Sequence, residues 1–450
     1  MPNPPIASPH EHSTPAKPQY VLADANSFFA SCESVFNPSL AGRPVVVLSN
    51  NDGCVVARSP AAKKLGITNG TAWFKIREQA TADGVIPRSS NYELYASLSH
   101  RMMAIMEQFF PEQEVYSIDE CFLLSLWDQA TTLRTCKQMR ECVLRSVGIP
   151  VSIGIAPTKT LAKVSNHWAK DHPTTAGISF WEDIQQEFGD RVLASIPVSE
   201  IWGVGHRLTR KLESIGIVTA LDLRDSNPSL IRRRFSVLLE RTVLELRGIP
   251  AIEADENANN GIRTNQILCS RMFSQPVIGF ETLSEALSVY AQKACTRLRR
   301  QNSLCSQVRA FCSTSPYEPH KYTASSHTIQ LSDPSDDPLT ISHAARTALK
   351  ERIDPHAPYV RAGVVLLGLQ DATSFHTLEG LEPNRDPGLG SALEEISHRF
   401  GPFRAGIGYG GVRGKGRQSE DTGRKWAMNR HMLSARPTTR WEEMATVYAR

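Results

Sequence analysis

The first sustained apolar run, Tyr20-Val21-Leu22-Ala23, stops at Asp24 and predicts a short strand ending in a carboxylate. In 44–57 (PVVVLSNNDGCVVA) two apolar runs flank Asn51-Asp52-Gly53, the composition of a turn between strands. Helical spacing follows over 59–66 and 91–110. EVYSIDECFLLSL (114–126) predicts a strand pair interrupted near Asp119-Glu120. Next come a helix over 131–147, the strand PVSIGIA (150–156) and a helix over 159–170. Strands alternating with helices make 19–180 an α/β or α+β unit.

The pattern changes after about 185. Residues 187–248 show only helical spacing, with a glycine turn at Gly203-Val204-Gly205. AIEADENANNGIR (251–263) is polar and turn-rich, as a linker would be. Beyond it, strands over 265–271, 307–313, 324–331 and 360–369 and helices over 281–300 and 339–353 predict a second, smaller α+β unit. A basic helix is expected within 424–435. Residues 1–18, rich in proline, read as a disordered tail.

Composition narrows the class. A chain of 450 residues suggests about three domains. With 41% hydrophobic and 21% charged residues, neither wholesale disorder nor a collagen-like chain is expected. No apolar run approaches the ~20 residues of a membrane helix, and the N-terminus lacks the apolar core of a signal peptide. A cytoplasmic protein with no membrane partner is expected. The nine cysteines are scattered and never form a CxxC pair, so neither a disulfide framework nor a zinc knuckle is indicated. The net charge of +4 hides segregation. Lys293, Arg297, Arg299, Arg300, Arg309 and Lys321 face one acid, Glu318, within 287–324. Arg404, Arg413, Lys415, Arg417, Arg424, Lys425 and Arg430 crowd 404–430, and Arg232-Arg233-Arg234 is a third cluster. Such stretches suit a polyanion, although solvated faces look alike in sequence.

Three constellations carry chemistry. Asp24 with Asp119 and Glu120 could hold two divalent cations, provided the strand bends where the two neighbouring acids would otherwise face opposite sides. The plainer alternative is a strand-end Asp and an exposed acidic turn. Arg58 and Lys63, with Lys159 and Lys163 four residues apart on one helix, could hold a triphosphate or simply be solvated. IWGVGHRLTRKLESIGIVTALDL (201–223) reads as helix, Gly-x-Gly turn and helix. Backbone amides at Gly203 and Gly205, followed by Arg207, Arg210 and Lys211, suit DNA phosphate; a plain helix–helix turn is the alternative.

Six stretches occur in order: DANSFFASCE (24–33), VVVLSNNDGCVVARSPAAKKLG (45–66), SNYELYASLS (90–99), VYSIDECF (115–122), GIAPTKTLAK (154–163) and IWGVG (201–205). Together they resemble Y-family DNA polymerases. SNNDGCVVAR, SSNYELYA, FCSTSPYE (311–318) and MNRHMLSARPTTR (428–440) look most like the UmuC-type catalytic subunit of bacterial DNA polymerase V.

The resemblance implies an α+β multidomain right hand. A ferredoxin-like palm would span 19–28 and 95–185, with small fingers over 29–94. A helical thumb with a helix-hairpin-helix would span 186–250, then a linker over 251–261, an α+β little finger over 262–371 and a C-terminal region over 372–450. It implies Asp24, Asp119 and Glu120, with the Ala25 carbonyl, as ligands of two Mg2+ ions, and Phe29 as the steric gate against a ribose 2′-hydroxyl. Ser117 would orient the turn. Phe28, Arg58, Lys63 and Lys163 would lie at the nucleotide. Pro60 stands where many members place a triphosphate-binding tyrosine, which shifts that contact towards Arg58 or a backbone group. The function implied is error-prone translesion synthesis on primer-template DNA with deoxynucleoside triphosphates, in DNA repair and the SOS response. A UmuD-type accessory dimer and a recombinase filament are the implied partners. LQDATSFHTLEG (369–380) is a poor match to the clamp-binding peptide of such proteins, so sliding-clamp binding there is not expected. The rival readings are a stand-alone polymerase IV type, a non-catalytic DNA-binding scaffold of polymerase descent, and a palm-fold cyclase.

Overall fold

The computed structural model describes residues 17–253, 264–317, 320, 322–374, 387–400, 405–408 and 429–444. Most of the predicted tail, most of the linker, the 375–380 part of the clamp-like peptide and most of the glycine- and arginine-rich stretch 401–417 lie outside these residues. So do Arg404, Arg413, Lys415, Arg417, Arg424 and Lys425.

A five-stranded sheet organises the N-terminal part. It contains β1 (Gln19–Ala25), β5 (Glu112–Val115), β6 (Glu120–Ser125), β7 (Val151–Ala156) and β8 (Ile178–Phe180), in the order β5-β6-β1-β7-β8. β1 is antiparallel to both β6 and β7. Alternation divides its faces. Val21, Ala23 and Ala25, with Cys121, Leu123, Ile153 and Ile155, pack against α4 (Tyr92–Met106) and α5 (Gln129–Val147). Leu22, Phe122 and Ala156 pack on the other side with α6 (Lys159–Asp171). Each helix has a side-chain cap: Asn91 for α4, Asp128 for α5 and Thr158 for α6.

Gly154 lets α6 lie directly on β7. A Cβ there would sit 2.2 Å from both the Ala162 carbonyl oxygen and the Asn166 amide nitrogen. No side chain can be accommodated at that crossing.

β2 (Val45–Leu48), β3 (Val55–Arg58) and β4 (Ile86–Ser89) form a small sheet in which β3 is antiparallel and β4 parallel to β2. α1 (Phe28–Val35), α2 (Pro60–Lys64) and α3 (Trp73–Ala82) accompany it. The short, proline-containing β4, together with α3 and β8, was not legible in the sequence. The helical spacing of 187–248 is borne out, and the run of helices begins earlier than expected, at Trp181: α7 (Trp181–Phe188), α8 (Arg191–Ser195), α9 (His206–Glu213), α10 (Ala220–Asp225), α11 (Pro228–Arg234) and α12 (Val237–Leu246). Buried Glu245 in α12 accepts bonds from the Thr160, Ala251 and Ile252 amides, which fastens this unit to α6.

The second α+β unit is an antiparallel sheet in the order β11-β10-β12-β9, with α13 (Phe280–Arg300) and α14 (Pro338–Lys350) on one face. Its strands are β9 (Ile267–Val277), β10 (Ser303–Ser313), β11 (Ala324–Ser335) and β12 (Tyr359–Asp371). α15 (Pro387–Phe400) follows. Residues 429–435 are not helical, contrary to expectation, and lie as a strap against the small three-stranded sheet. There the backbone of Met432 pairs with Ser89 instead of with its own preceding turn. Among the described residues no helix is long and apolar enough to cross a membrane. All nine cysteines are free thiols.

Candidate active site

Asp24 and Glu120 are Cα partners across β1 and β6. Asp24 shares the face of Leu22, and Glu120 that of Phe122, so both carboxylates emerge on the α6 side. Asp119 precedes β6, in the hairpin turn, which relieves the opposite-face problem posed by two adjacent acids. Its carbonyl accepts from the Ala25 amide at 2.9 Å. Ser117 orients the turn as expected: its Oγ donates to Asp119 Oδ1 at 2.5 Å and accepts from the Glu120 amide at 3.1 Å.

The three carboxylates share one end of the sheet, yet their side chains do not converge. Lys170 Nζ lies 2.7 Å from Asp24 Oδ2, and Lys163 Nζ lies 2.7 Å from Glu120 Oε1. Lys163 and Lys170 are two helical turns apart and share a face of α6. Desolvation raises the Asp24 carboxyl above its ordinary pKa, against the pull of Lys170; desolvation likewise raises Glu120, opposed by Lys163.

Among the described residues no group of three or more His, Cys, Asp or Glu side chains forms a ready metal cage. In kind the donors fit a hard divalent ion: they are carboxylate oxygens, half-buried, and raised by burial so that a cation favours their charged form. Lys163 and Lys170 provide that positive charge here.

Backbone geometry aims the next residues. Ser27, between β1 and α1, adopts the left-handed conformation with φ 48°. The turn is held by Asn26, whose amide donates to the Pro150 carbonyl and whose Oδ1 accepts from Ser152. Phe28 then enters the core, where it is 3% exposed. Phe29 stays half-buried and stacks on Tyr95, with ring centres 4.6 Å apart and planes 16° from parallel. Tyr92 meets Phe29 edge-on.

The predicted cations divide. Lys63 is exposed, but desolvation of its amine, with Arg58 next, lowers its pKa, and Asp24 and Lys170 both act on it. Arg58 donates to the Ile67 carbonyl at 2.7 Å, and its buried Nε has no hydrogen-bond partner. Lys163 sits over the rings of Tyr116, Trp202 and Phe122 while paired with Glu120. Lys159 departs from expectation. It is buried, 2.5 Å from Glu114 Oε2, and donates to the Glu253 carbonyl, so it serves the fold and does not present a charge to a triphosphate.

At the glycine turn Gly203 has φ +85°, and Gly205 caps α9 without any side-chain bond. A Cβ at either glycine would meet nothing within 4 Å, so the turn is open to a ligand. Arg207, Arg210 and Lys211 are exposed beside it. Of the other basic residues, Arg297, Arg300 and Arg309 are exposed at least in part, whereas Arg299 is engaged by Glu394. The arginine triplet ends α11 in solvent, with Arg232 paired to Glu240.

Comparison with known proteins decides the family. The impB/mucB/samB family matches residues 23–167, its C-terminal domain 264–378 and its HHH motif 189–217. A domain of unknown function matches 387–447. UmuC of Salmonella typhimurium is 40% identical over 95% of this chain and 100% of its own. The chain belongs to the UmuC-type Y-family DNA polymerases. DNA polymerase IV of Moorella thermoacetica is 28% identical over 87% of this chain and 98% of its own, which ranks the polymerase IV reading second. A solved Y-family polymerase chimera of Dbh and Dpo4 has the same right-hand fold, with TM-score 0.61 and 20% identity over 78% of this chain and 99% of that one. The activity that goes with membership is DNA-directed DNA synthesis of the error-prone, translesion kind.

Sequence reasoning missed Lys170, Tyr95 and Glu33. The seven-residue step from Lys163 was a usable signal for Lys170. Tyr95 and Glu33 carry no local signal, because only the packing of α1 beside α4 brings them into contact.

Proposed function

We propose that nucleotide addition runs through Asp24, Asp119 and Glu120, with the Ala25 carbonyl, as the ligands of two magnesium ions. When bound, these ions supply a lowered pKa for the primer 3′-hydroxyl and charge neutralisation for the triphosphate. Lys163 and Lys170, freed from the carboxylates, would be available to triphosphate oxygens together with Lys63 and Arg58. Phe28 holds the turn that presents Phe29, and the Phe29 ring takes the space of a ribose 2′-hydroxyl. The Gly203–Gly205 turn, with Arg207, Arg210 and Lys211, holds the duplex by its phosphates without reading sequence.

The observation that carries this reading is the register of β1 and β6, which sets Asp24 opposite Glu120 with Asp119 in the adjoining turn. Family membership supports the wider setting: a cytoplasmic enzyme of DNA repair and the SOS response, working with a UmuD-type dimer and a recombinase filament. Sliding-clamp contact through 369–380 is not part of the proposal.

Primer extension by the purified chain on intact and abasic templates tests it, with and without those two partners. Addition in the presence of magnesium supports the catalytic reading, and no addition under any condition refutes it. Full activity of the chain alone refutes the dependence on partners.

A further inference from the structure

We infer that the C-terminal strap, residues 429–443, positions the sugar gate through a relay from Ser434 to Glu33 to Tyr95 to Phe29. This rests on the proposed role of Phe29.

The relay consists of short, directed contacts. Ser434 Oγ donates to Glu33 Oε1 at 3.1 Å, and Tyr95 Oη donates to the same oxygen at 2.7 Å. Glu33 is 3% exposed and Tyr95 is fully buried, so water does not compete freely for these bonds. Phe29 in turn stacks on the Tyr95 ring. Glu33 is on α1 four residues beyond Phe29, and Tyr95 is on α4. The carboxylate therefore couples the gate helix to its neighbour, and Ser434 holds the carboxylate.

The strap is fastened along its length. Asn429 donates its amide to Asn51 Oδ1, His431 to Asp52 Oδ2 and Met432 to Ser89 Oγ. Asn91 Nδ2 donates to Ser434 Oγ at 2.8 Å while Asn91 Oδ1 caps α4. Arg436, 5% exposed, reaches Glu93 at 3.1 Å and Glu443 at 2.8 Å. Asn51 also donates to the Met272 and Phe273 carbonyls of β9, so one turn gathers fingers, little finger and strap.

A steric gate discriminates only while its ring is held; displacement of about 1 Å is enough to lose much of a site's selectivity. The strap supplies part of that hold from outside the catalytic unit.

The test is a double-mutant cycle in the full chain, read as the ratio of kcat/KM for deoxy- and ribonucleotides on one primer-template. Ser434→Ala and Tyr95→Phe keep the backbone and the ring but remove the two donors to Glu33. Each should lower sugar selectivity by about tenfold, the scale of a lost bond to a charged acceptor. The double mutant should fall short of the product, because both act through Glu33. A selectivity within twofold of the parent in both single variants, or a strictly multiplicative double, overturns the inference. Phe29→Ala runs alongside. If it relaxes sugar choice while the strap variants do not, only the strap inference fails; if it does not, the gate reading fails and takes the strap with it.

Discussion

Asp24 and Glu120 stand opposite each other at the ends of β1 and β6, and each carries a lysine from the same helix, Lys170 and Lys163. The helix reaches both because it lies in contact with β7 at Gly154. Gly154→Ala should therefore cost about 3 kcal/mol or more, the upper end of overpacking, since backbone atoms of α6 would have to move. Urea denaturation of the parent and variant measures this; a midpoint unchanged by the methyl group would show that the helix is free to shift.

Phe28 and Phe29 are neighbours with different surroundings, one in the core and one stacked on Tyr95. Phe29→Ala should raise ribonucleotide incorporation by about a hundredfold relative to deoxynucleotide, a few kcal/mol of lost exclusion. Phe28→Ala should chiefly destabilise the fold, by about 3–5 kcal/mol. Single-nucleotide incorporation and thermal unfolding of both variants check the pair. Relaxed sugar choice in Phe28→Ala alone would reverse the assignment.

Burial raises the Glu33 carboxyl above its ordinary value of 4.5, opposed by the bonds from Tyr95 and Ser434 and by Arg88. The folded chain thus binds this proton more tightly than the unfolded chain does. The sign follows: the contribution is fully present below the unfolded pKa and is lost as pH rises through the folded one. Compared with Glu33→Gln, the parent should lose stability as pH is raised from 4.5 upward. Unfolding midpoints of both across that range decide it, and a gap moving in the parent's favour would contradict it.

DNA affinity should be set by phosphate contacts at the Gly203–Gly205 turn and the exposed arginines of the little finger. The logarithm of affinity should fall linearly with the logarithm of salt, with a slope of several units and little dependence on sequence. Fluorescence anisotropy over a salt series tests this; a flat response would remove the electrostatic account.

Much of this was legible in the sequence because period and punctuation agreed. The run ending at Asp24, the turn at Asn51-Asp52-Gly53 and the helical spacing of 187–248 each became the element expected. What escaped had non-local causes. Lys159 looks like a free lysine, and only the arrival of Glu114 and the Glu253 carbonyl buries it. Residues 429–435 have basic, helix-compatible composition, but the unpaired edge at Ser89 and the acceptor at Asp52 compete successfully for their backbone amides. The pairing of Lys163 with Glu120 and of Lys170 with Asp24 was hidden because a strand and a helix distant in sequence had to meet first.

The central claim is that the carboxylates at the end of β1 and β6 carry the chemistry while other elements hold the DNA. The most direct measurement is single-turnover nucleotide addition by Asp119→Ala and Glu120→Ala, with DNA affinity measured on the same preparations. The account predicts a loss of rate of about a hundredfold or more in each variant, with DNA affinity within a few-fold of the parent. Either variant extending primers at near the parental rate would contradict it.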